Sequence, residues 1–235
     1  MALVKICGLQ TPDLAAEVAR LPVDYVGFVF ARSKRQVSAA QAGAMIAAIR
    51  EASPERRVKA AGVFVNPALE ELDAVLREAP LDVLQLHGQE TPDYCRTVKE
   101  RYPGVEVIKA FSLPHEAAAA GDGPSGAGPD VSAIADRFNP YLGTIDGILL
   151  DTLDPLYGGG SGTTFAWHVI PSYLAWSREA GIPLLVAGGL RPDNVGSLLD
   201  AYHPDGVDVS SGVETDGAKD LMKIKTFVER VKSIV

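Results

Sequence analysis

The stretch LVKICGLQTPDLAAEVARLPVDYVGFVF, residues 3–30, sets the pattern of the whole chain. LVKIC (3–7) and DYVGFVF (24–30) are short runs rich in β-branched and aromatic residues, which read as strands. Between them, residues 12–20 carry apolar positions at helical spacing, and Thr11-Pro12 puts a proline at the first helical position. The same strand–helix unit recurs along the chain. Strand candidates follow at VKAAGVFV (58–65), LDVLQLH (81–87), VEVIKAF (105–111), DGILLD (146–151), PLLVAG (183–188) and GVDVSS (206–211). Helix candidates follow at 38–51, 67–79, 91–101, 131–137, 165–180, 192–201 and 218–233. Asn66-Pro67, Thr91-Pro92 and Arg191-Pro192 repeat the proline start signal, and Ser38 is a plausible N-cap. Strand then helix, eight times over, predicts a parallel sheet, and eight units in 235 residues most simply close as a single-domain (β/α)8 barrel, the TIM barrel. An open doubly wound sheet is the alternative; it would bring a glycine-rich dinucleotide fingerprint after an early strand, and none is present. The segment SLPHEAAAAGDGPSGAGPD (112–130) interrupts the fifth unit and reads as a flexible surface insertion within one domain, 1–235. Apart from the strand–helix period, the sequence shows no internal repeat.

Composition narrows the function classes. Hydrophobic residues make up 47% and charged residues 22%, the balance of a globular enzyme with a large core. A formal net charge of -8 argues against nucleic acid or an acidic membrane as the main partner. It leaves room for a small anionic substrate, because a few local positive groups and backbone N–H groups can hold one phosphate. Two cysteines, Cys7 and Cys95, are too few for a disulfide framework or a structural zinc site. Lys5 interrupts the N-terminal apolar stretch, which argues against a secretory signal, and no run approaches the roughly 18 apolar residues of a membrane span. The expectation is a cytoplasmic, monomeric protein.

In such a barrel the chemistry sits at the C-terminal ends of the strands. The unusual residues fall there: Cys7 ends the first strand, Asn66 follows the third, His87 ends the fourth and Asp151 the sixth. Strand alternation puts Val4 and Ile6 on one face and Lys5 and Cys7 on the other, which should be the barrel interior. By the same rule Leu149 and Asp151 point inward, Gln85 and His87 share a face, and so do Asp208 and Ser210. A polar interior this dense costs energy unless it is paired. Lys5 and Asp208 are expected to pair, since the first and eighth strands close the barrel side by side. Gly188-Gly189 after the seventh strand and Ser210-Ser211-Gly212 after the eighth lie where barrels often bind phosphate through backbone N–H groups, and GGGSG (158–162) is a third glycine-rich loop nearby.

The ordered set VKICGL (4–9), GFVFARSKRQVS (27–38), GVFVN (62–66), LQLHG (84–88), LLD (149–151), GGSGTTFAW (159–167), AGGLRPDNV (187–195) and GVDVSSGVE (206–214) resembles the phosphoribosylanthranilate isomerases of tryptophan biosynthesis over nearly the whole chain, missing only 112–140. The resemblance implies an Amadori rearrangement of N-(5-phosphoribosyl)anthranilate to 1-(o-carboxyphenylamino)-1-deoxyribulose 5-phosphate, without cofactor or metal. It implies Cys7 as general base and Asp151 as general acid. It further implies that Arg35 contacts the anthranilate carboxylate, that His87 lines the site, and that the loops carrying Gly159, Gly160, Gly188, Gly189, Ser210, Ser211 and Gly212 hold the phosphate. The family usually reads Ser-Pro-Arg where this chain has Ser33-Lys34-Arg35, which implies a less rigid loop. The chemistry asks for a carboxylic acid to protonate the furanose oxygen and a thiolate to remove the C2 proton. A free cysteine titrates near 8.5, so the thiolate needs help, from the Gly8 N–H or from Lys5 one layer below. Cys95, in a helix, reads as packing. Two other functions fit the same scaffold: a Schiff-base aldolase using Lys5 or Lys109, and a non-catalytic sugar-phosphate binder.

Overall fold

In the computed structural model, which describes residues 1–55, 58–113, 131–152 and 167–234, eight parallel strands pair each with the next and the last with the first. They are β1 (Leu3–Cys7), β2 (Tyr25–Val29), β3 (Lys59–Phe64), β4 (Val83–Leu86), β5 (Glu106–Leu113), β6 (Gly147–Thr152), β7 (Leu184–Val186) and β8 (Gly206–Val209). The closing pair runs β1 to β8 in the register Lys5↔Asp208. The helices are α1 (Pro12–Ala19), α2 (Ala39–Ala52), α3 (Leu69–Glu78), α4 (Pro92–Arg101), α5 (Val131–Phe138), α6 (Ile170–Ala180), α7 (Val195–Tyr202) and α8 (Leu221–Ser233). This is the closed (β/α)8 barrel the periodicity predicts.

Two apolar layers hold it. Val4, Ile6, Val26, Phe28, Leu84, Leu86, Ile148 and Leu150 face outward and pack against the helices. Tyr25, Ala61, Val83, Ile108, Ala110, Leu149, Leu185 and Ala187 fill the inside. The inward positions nearer the C-terminal ends are Cys7, Gln85, Asp151 and Asp208, all buried. The interior therefore changes from apolar to polar along the barrel axis, and the polar end is where the strands terminate.

Local signals explain most helix starts. Ser38 caps α2 with a full capping box, its hydroxyl accepting from the Gln41 N–H while the Gln41 side chain accepts from the Ser38 N–H. Such a cap stabilises a helix by about 1 kcal/mol. Pro12 and Pro92 open α1 and α4 as expected. Pro67 and Pro192 do not: α3 begins at Leu69 and α7 at Val195, so these prolines belong to the loops that lead in. The last helix starts at Leu221, not near 218. Glu214–Thr215 and Ala218–Lys219 instead form a two-stranded hairpin, β9 and β10, and the Asp220 carboxylate caps α8 by accepting from the Met222 and Lys223 N–H groups. Residues 112 and 113, expected to open the insertion, are the end of β5, with Ser112 opposite Asp151 and Leu113 opposite Thr152. From 114 onward that insertion lies outside the described residues.

The barrel also carries an internal repeat that strand–helix counting misses. Asp24, Asp82, Asp146 and Asp205 each stand at the entry of an even-numbered strand. Each accepts the N–H of a residue at the start of the preceding odd strand: Val4 at 2.8 Å, Ala60 at 3.0 Å, Val107 at 2.9 Å and Leu184 at 2.9 Å. The unit is thus two strands and two helices, four times over. The clamp sits at the N-terminal face, where conserved architecture serves stability and not chemistry. Among the described residues, no helix is long and apolar enough to cross a membrane.

Candidate active site

Cys7 is the last residue of β1, and its side chain points into the barrel mouth, almost fully buried. Room for its sulfur comes from the neighbouring strand: a Cβ at Gly27 would stand 2.7 Å from Sγ. Beneath it, Lys5 is fully buried and donates to Asp208 at 3.0 Å, the pair the sequence predicts. Burial works against the Lys5 charge, but Asp208 and Cys7 outweigh it and hold its pKa above the ordinary value. Burial likewise pushes the Cys7 thiol up, while the Lys5 and Lys219 ammonium groups pull it back and Asp208 adds to the rise. The Gly8 N–H is no help to a thiolate, because it donates to the Gly27 carbonyl at 2.8 Å. Of the two candidate supports, only Lys5 is in place.

Asp151, in β6, faces the same mouth. One carboxylate oxygen accepts the Thr152 N–H at 2.8 Å, and the other lies 3.5 Å from His87 Nε2. The Gln85 side-chain amide lies 3.2 Å from His87 Nδ1. Burial, with Lys109 and Lys5 nearby, lowers the His87 pKa to about 4. The ring is therefore neutral at physiological pH. Its neighbour Gly88 is clamped from both sides. Glu90 accepts the N–H groups of Asn66 and Gly88, and the Asn66 side chain, on a residue with φ +48°, accepts from the Gln89 N–H.

The glycine-bearing loops after β7 and β8 pack against each other. Gly188 (φ +82°) and Gly189 (φ +63°) adopt backbone conformations that favour glycine. A Cβ at Gly188 would overlap the Thr152 hydroxyl and lie 3.0 Å from the Asp151 carboxylate. After β8, Ser211–Val213 make a single tight turn, and Gly212 packs on the Leu190 carbonyl so closely that any Cβ would overlap it. The two loops thus support each other. Ser210 has its hydroxyl committed, donating to the Cys7 carbonyl at 3.2 Å and accepting from Lys219. Gly159 and Gly160 lie outside the described residues.

Arg35 is buried, and its guanidinium already holds a carboxylate. Nε donates to Glu214 Oε1 at 2.6 Å and Nη2 to Glu214 Oε2 at 3.1 Å. Glu214 also accepts from Lys219 at 2.9 Å and Lys34 at 3.2 Å. The cations around it lower the Glu214 pKa to about 2 despite burial. Lys34 therefore ties its loop to β9, and Gln10 donates to the Lys34 carbonyl at 3.2 Å; the segment expected to be slack for want of a proline is fastened at two points. Neither Glu214 nor Lys219 stands out in the sequence pattern. The signal that could have found them is Asp216-Gly217, whose φ values of +51° and +81° match the two-residue hairpin turn such a pair favours. That turn sets Glu214 opposite Lys219.

Neither lysine proposed for Schiff-base chemistry is free. Lys5 is paired with Asp208. Lys109 pairs with the buried Glu90 at 3.1 Å and donates to the carbonyls of Leu86, Gly88 and Ala110. Cys95 is buried in α4, its thiol pushed up to about 11 by burial, consistent with packing. Among the described residues, no group of three or more His, Cys, Asp or Glu side chains could hold a metal ion.

The model of the family described as N-(5'phosphoribosyl)anthranilate (PRA) isomerase matches residues 4–230. An N-(5'-phosphoribosyl)anthranilate isomerase of Brevibacillus brevis is 47% identical, covering 99% of this chain and 95% of its own. A solved structure of a phosphoribosyl anthranilate isomerase in complex with reduced 1-(o-carboxyphenylamino)-1-deoxyribulose 5-phosphate is 33% identical, with TM-score 0.71 and full coverage of both chains. A structure of monomers generated from the dimeric enzyme of Thermotoga maritima, also 33% identical, matches with TM-score 0.73 over the whole of both chains.

Proposed function

The chain belongs to the N-(5'-phosphoribosyl)anthranilate isomerase family, and from that premise we propose that it converts N-(5-phosphoribosyl)anthranilate to 1-(o-carboxyphenylamino)-1-deoxyribulose 5-phosphate in tryptophan biosynthesis, with Cys7 as base and Asp151 as acid. The observation that carries the reading is the pairing of two inward proton-transfer groups, Cys7 on β1 and Asp151 on β6, separated around the ring by β7 and β8. Asp151 protonates the furanose oxygen as the C1–O bond breaks, while the anilino nitrogen supplies the electron pair and becomes an iminium. The iminium acidifies the C2 hydrogen, which the Cys7 thiolate removes. The enolamine then tautomerises to the ketone. Protons taken up and released balance, and no hydride moves.

The remaining groups bind. Arg35 holds the anthranilate carboxylate, and His87, neutral beside Asp151, lines the pocket. Phosphate rests on the loops after β6, β7 and β8, through Gly159, Gly160, Gly188, Gly189, Ser211 and Gly212, with Ser210 fixing the last loop to Cys7 and Lys219. Lys5 supports the thiolate electrostatically. The ion pairs of Lys5 and Lys109 argue against a Schiff-base aldolase. The protein acts in the cytoplasm. It acts as a monomer, since among the described residues the large exposed apolar side chains, Met1, Val65, Leu142 and Met222, fall in four different segments of the chain. Since the Thermotoga relative is described as dimeric, light scattering is the direct check. The function itself is tested by following loss of phosphoribosylanthranilate fluorescence, coupled to the enzyme that consumes the product. No turnover by the pure protein would reject the assignment.

A further inference from the structure

Arg35 and Glu214 are 179 residues apart in the chain yet meet through two hydrogen bonds in a nearly buried setting. The bonds use one edge of the guanidinium, Nε with Nη2. The adjacent edge, formed by one Nη1 hydrogen and one Nη2 hydrogen, is not used by Glu214 and has the fork geometry that suits a second carboxylate. The stem of Arg35 crosses directly over Gly8: a Cβ there would lie 2.7 Å from Arg35 Cδ and 3.3 Å from Ser210 Oγ. The Arg35 stem is therefore anchored beside Gly8, the residue that follows Cys7. Three cations, Arg35, Lys34 and Lys219, surround the single Glu214 carboxylate. The cluster keeps a net charge of about +2, which one more carboxylate would lower to about +1. Glu214 is itself fixed by the hairpin, opposite Lys219, whose ammonium also grips the Ser210 carbonyl and hydroxyl.

We propose that Glu214 is a positioning residue for substrate recognition: it orients the Arg35 guanidinium by one edge so that the other edge is presented to the carboxylate of the anthranilate ring. The proposal rests on the reading of Arg35 as the carboxylate contact. Glu214 touches no reacting atom; it acts through Arg35, and Lys34, where the family usually has proline, adds a second tie between the same loop and Glu214.

Glu214→Gln, Glu214→Asp and Arg35→Ala in the full chain test this with two competitive inhibitors. One is the reduced carboxyphenylamino-deoxyribulose phosphate; the other is ribulose 5-phosphate, which has the phosphosugar and lacks the carboxylate. Glu214→Gln should raise KM and the inhibition constant of the carboxyphenylamino ligand about tenfold, the scale of a lost charge-assisted hydrogen bond. Its kcat should stay within about threefold and its affinity for ribulose 5-phosphate should not change, because neither depends on the Arg35 edge. Glu214→Asp, which keeps the charge, should recover part of the loss. Tighter binding in Glu214→Gln would mean that Glu214 competes with the substrate for Arg35, and equal weakening of both inhibitors would mean general collapse of the loop; either overturns the proposal. If Arg35→Ala weakens the carboxyphenylamino ligand and Glu214→Gln does not, the Glu214 role fails while the Arg35 reading stands. If Arg35→Ala leaves that ligand unaffected, both fail.

Discussion

Replacing Lys5 with methionine separates the two tasks assigned to that side chain. Methionine matches the length of the lysine stem but has no charge. Lys5 has no exposed surface and its partner Asp208 is nearly buried at 3.0 Å, with Oδ1 already lacking a hydrogen-bond partner among the described residues. Breaking a buried pair of this kind strands the remaining charge and costs roughly 3–5 kcal/mol. For a chain of this size each kcal/mol lowers Tm by roughly 2–4 °C, so Lys5→Met should melt on the order of 6–20 °C below wild type in a circular dichroism scan. Because the folded-state pKa of Lys5 is raised, its stabilisation is fully present below the unfolded value near 10.4 and fades only as pH rises through the folded one. The Tm difference should therefore be flat between about pH 6 and 9. Adding Asp208→Asn removes the stranded charge and should restore much of the stability. The kinetic effect is different. Lys5 counters the burial that raises the Cys7 pKa, and its influence on the sulfur exceeds that of Asp208. The ascending limb of kcat/KM against pH should move to higher pH in Lys5→Met and remain alkaline of wild type in the double variant. Below the limb each unit of displacement costs about tenfold in rate. A folded Lys5→Met enzyme whose ascending limb coincides with that of wild type would refute the claim that Lys5 tunes the base.

Cys7→Ser and Asp151→Asn should each lower kcat by roughly 10² to 10⁴ with KM little changed, the loss expected for general acid–base catalysis, and iodoacetamide should label Cys7 ahead of Cys95 unless product analogue is present. Gly212→Asp places a side chain against the Leu190 carbonyl and a carboxylate beside the expected phosphate; kcat/KM should fall by about 2–3 kcal/mol, and an unchanged KM would move the phosphate elsewhere. His87, held neutral down to about 4, binds its proton more readily unfolded than folded, so stability should decline by about 3 kcal/mol as pH falls from 6.5 to 4; in His87→Gln, chemical denaturation should lose that part of the slope. Asp205→Ala removes one of the four strand clamps at the N-terminal face and should cost about 1.5–3 kcal/mol of stability while leaving kcat within about twofold of wild type, since the clamp is remote from the catalytic face.

Different parts of the fold were legible to different degrees. The strands are plain because each is a short apolar, β-branched run between loop signals, and the period-2 geometry of a strand puts Lys5, Cys7, Gln85 and Asp151 on inward faces. The start of α2 was plain because a capping box is local, three residues wide. Pro67 and Pro192 misled because proline suits both a first helical turn and the loop ahead of it, and only tertiary packing chooses between them. The four-aspartate repeat leaves no local signal, because its hydrogen bonds link a strand entry to a strand some 20 to 40 residues earlier. The hairpin at Glu214–Lys219 carries a local signal, Asp216-Gly217, just ahead of the helix expected from 218.

By itself, the sequence determined that eight strand–helix units close as a barrel, that Cys7 and Asp151 stand at strand ends facing inward, and to which family the ordered motifs belong. These follow from short-range periodicity and from residue identity. Apart from Lys5 with Asp208, which strand alternation and barrel closure predict, tertiary structure alone decided which polar groups meet. Arg35 with Glu214, Lys109 with Glu90 and the Gly8 N–H with the Gly27 carbonyl are encounters between segments brought together by barrel closure. An ion pair leaves no mark on the local pattern of either partner, because its energy depends on distance and burial in the folded state and not on spacing along the chain.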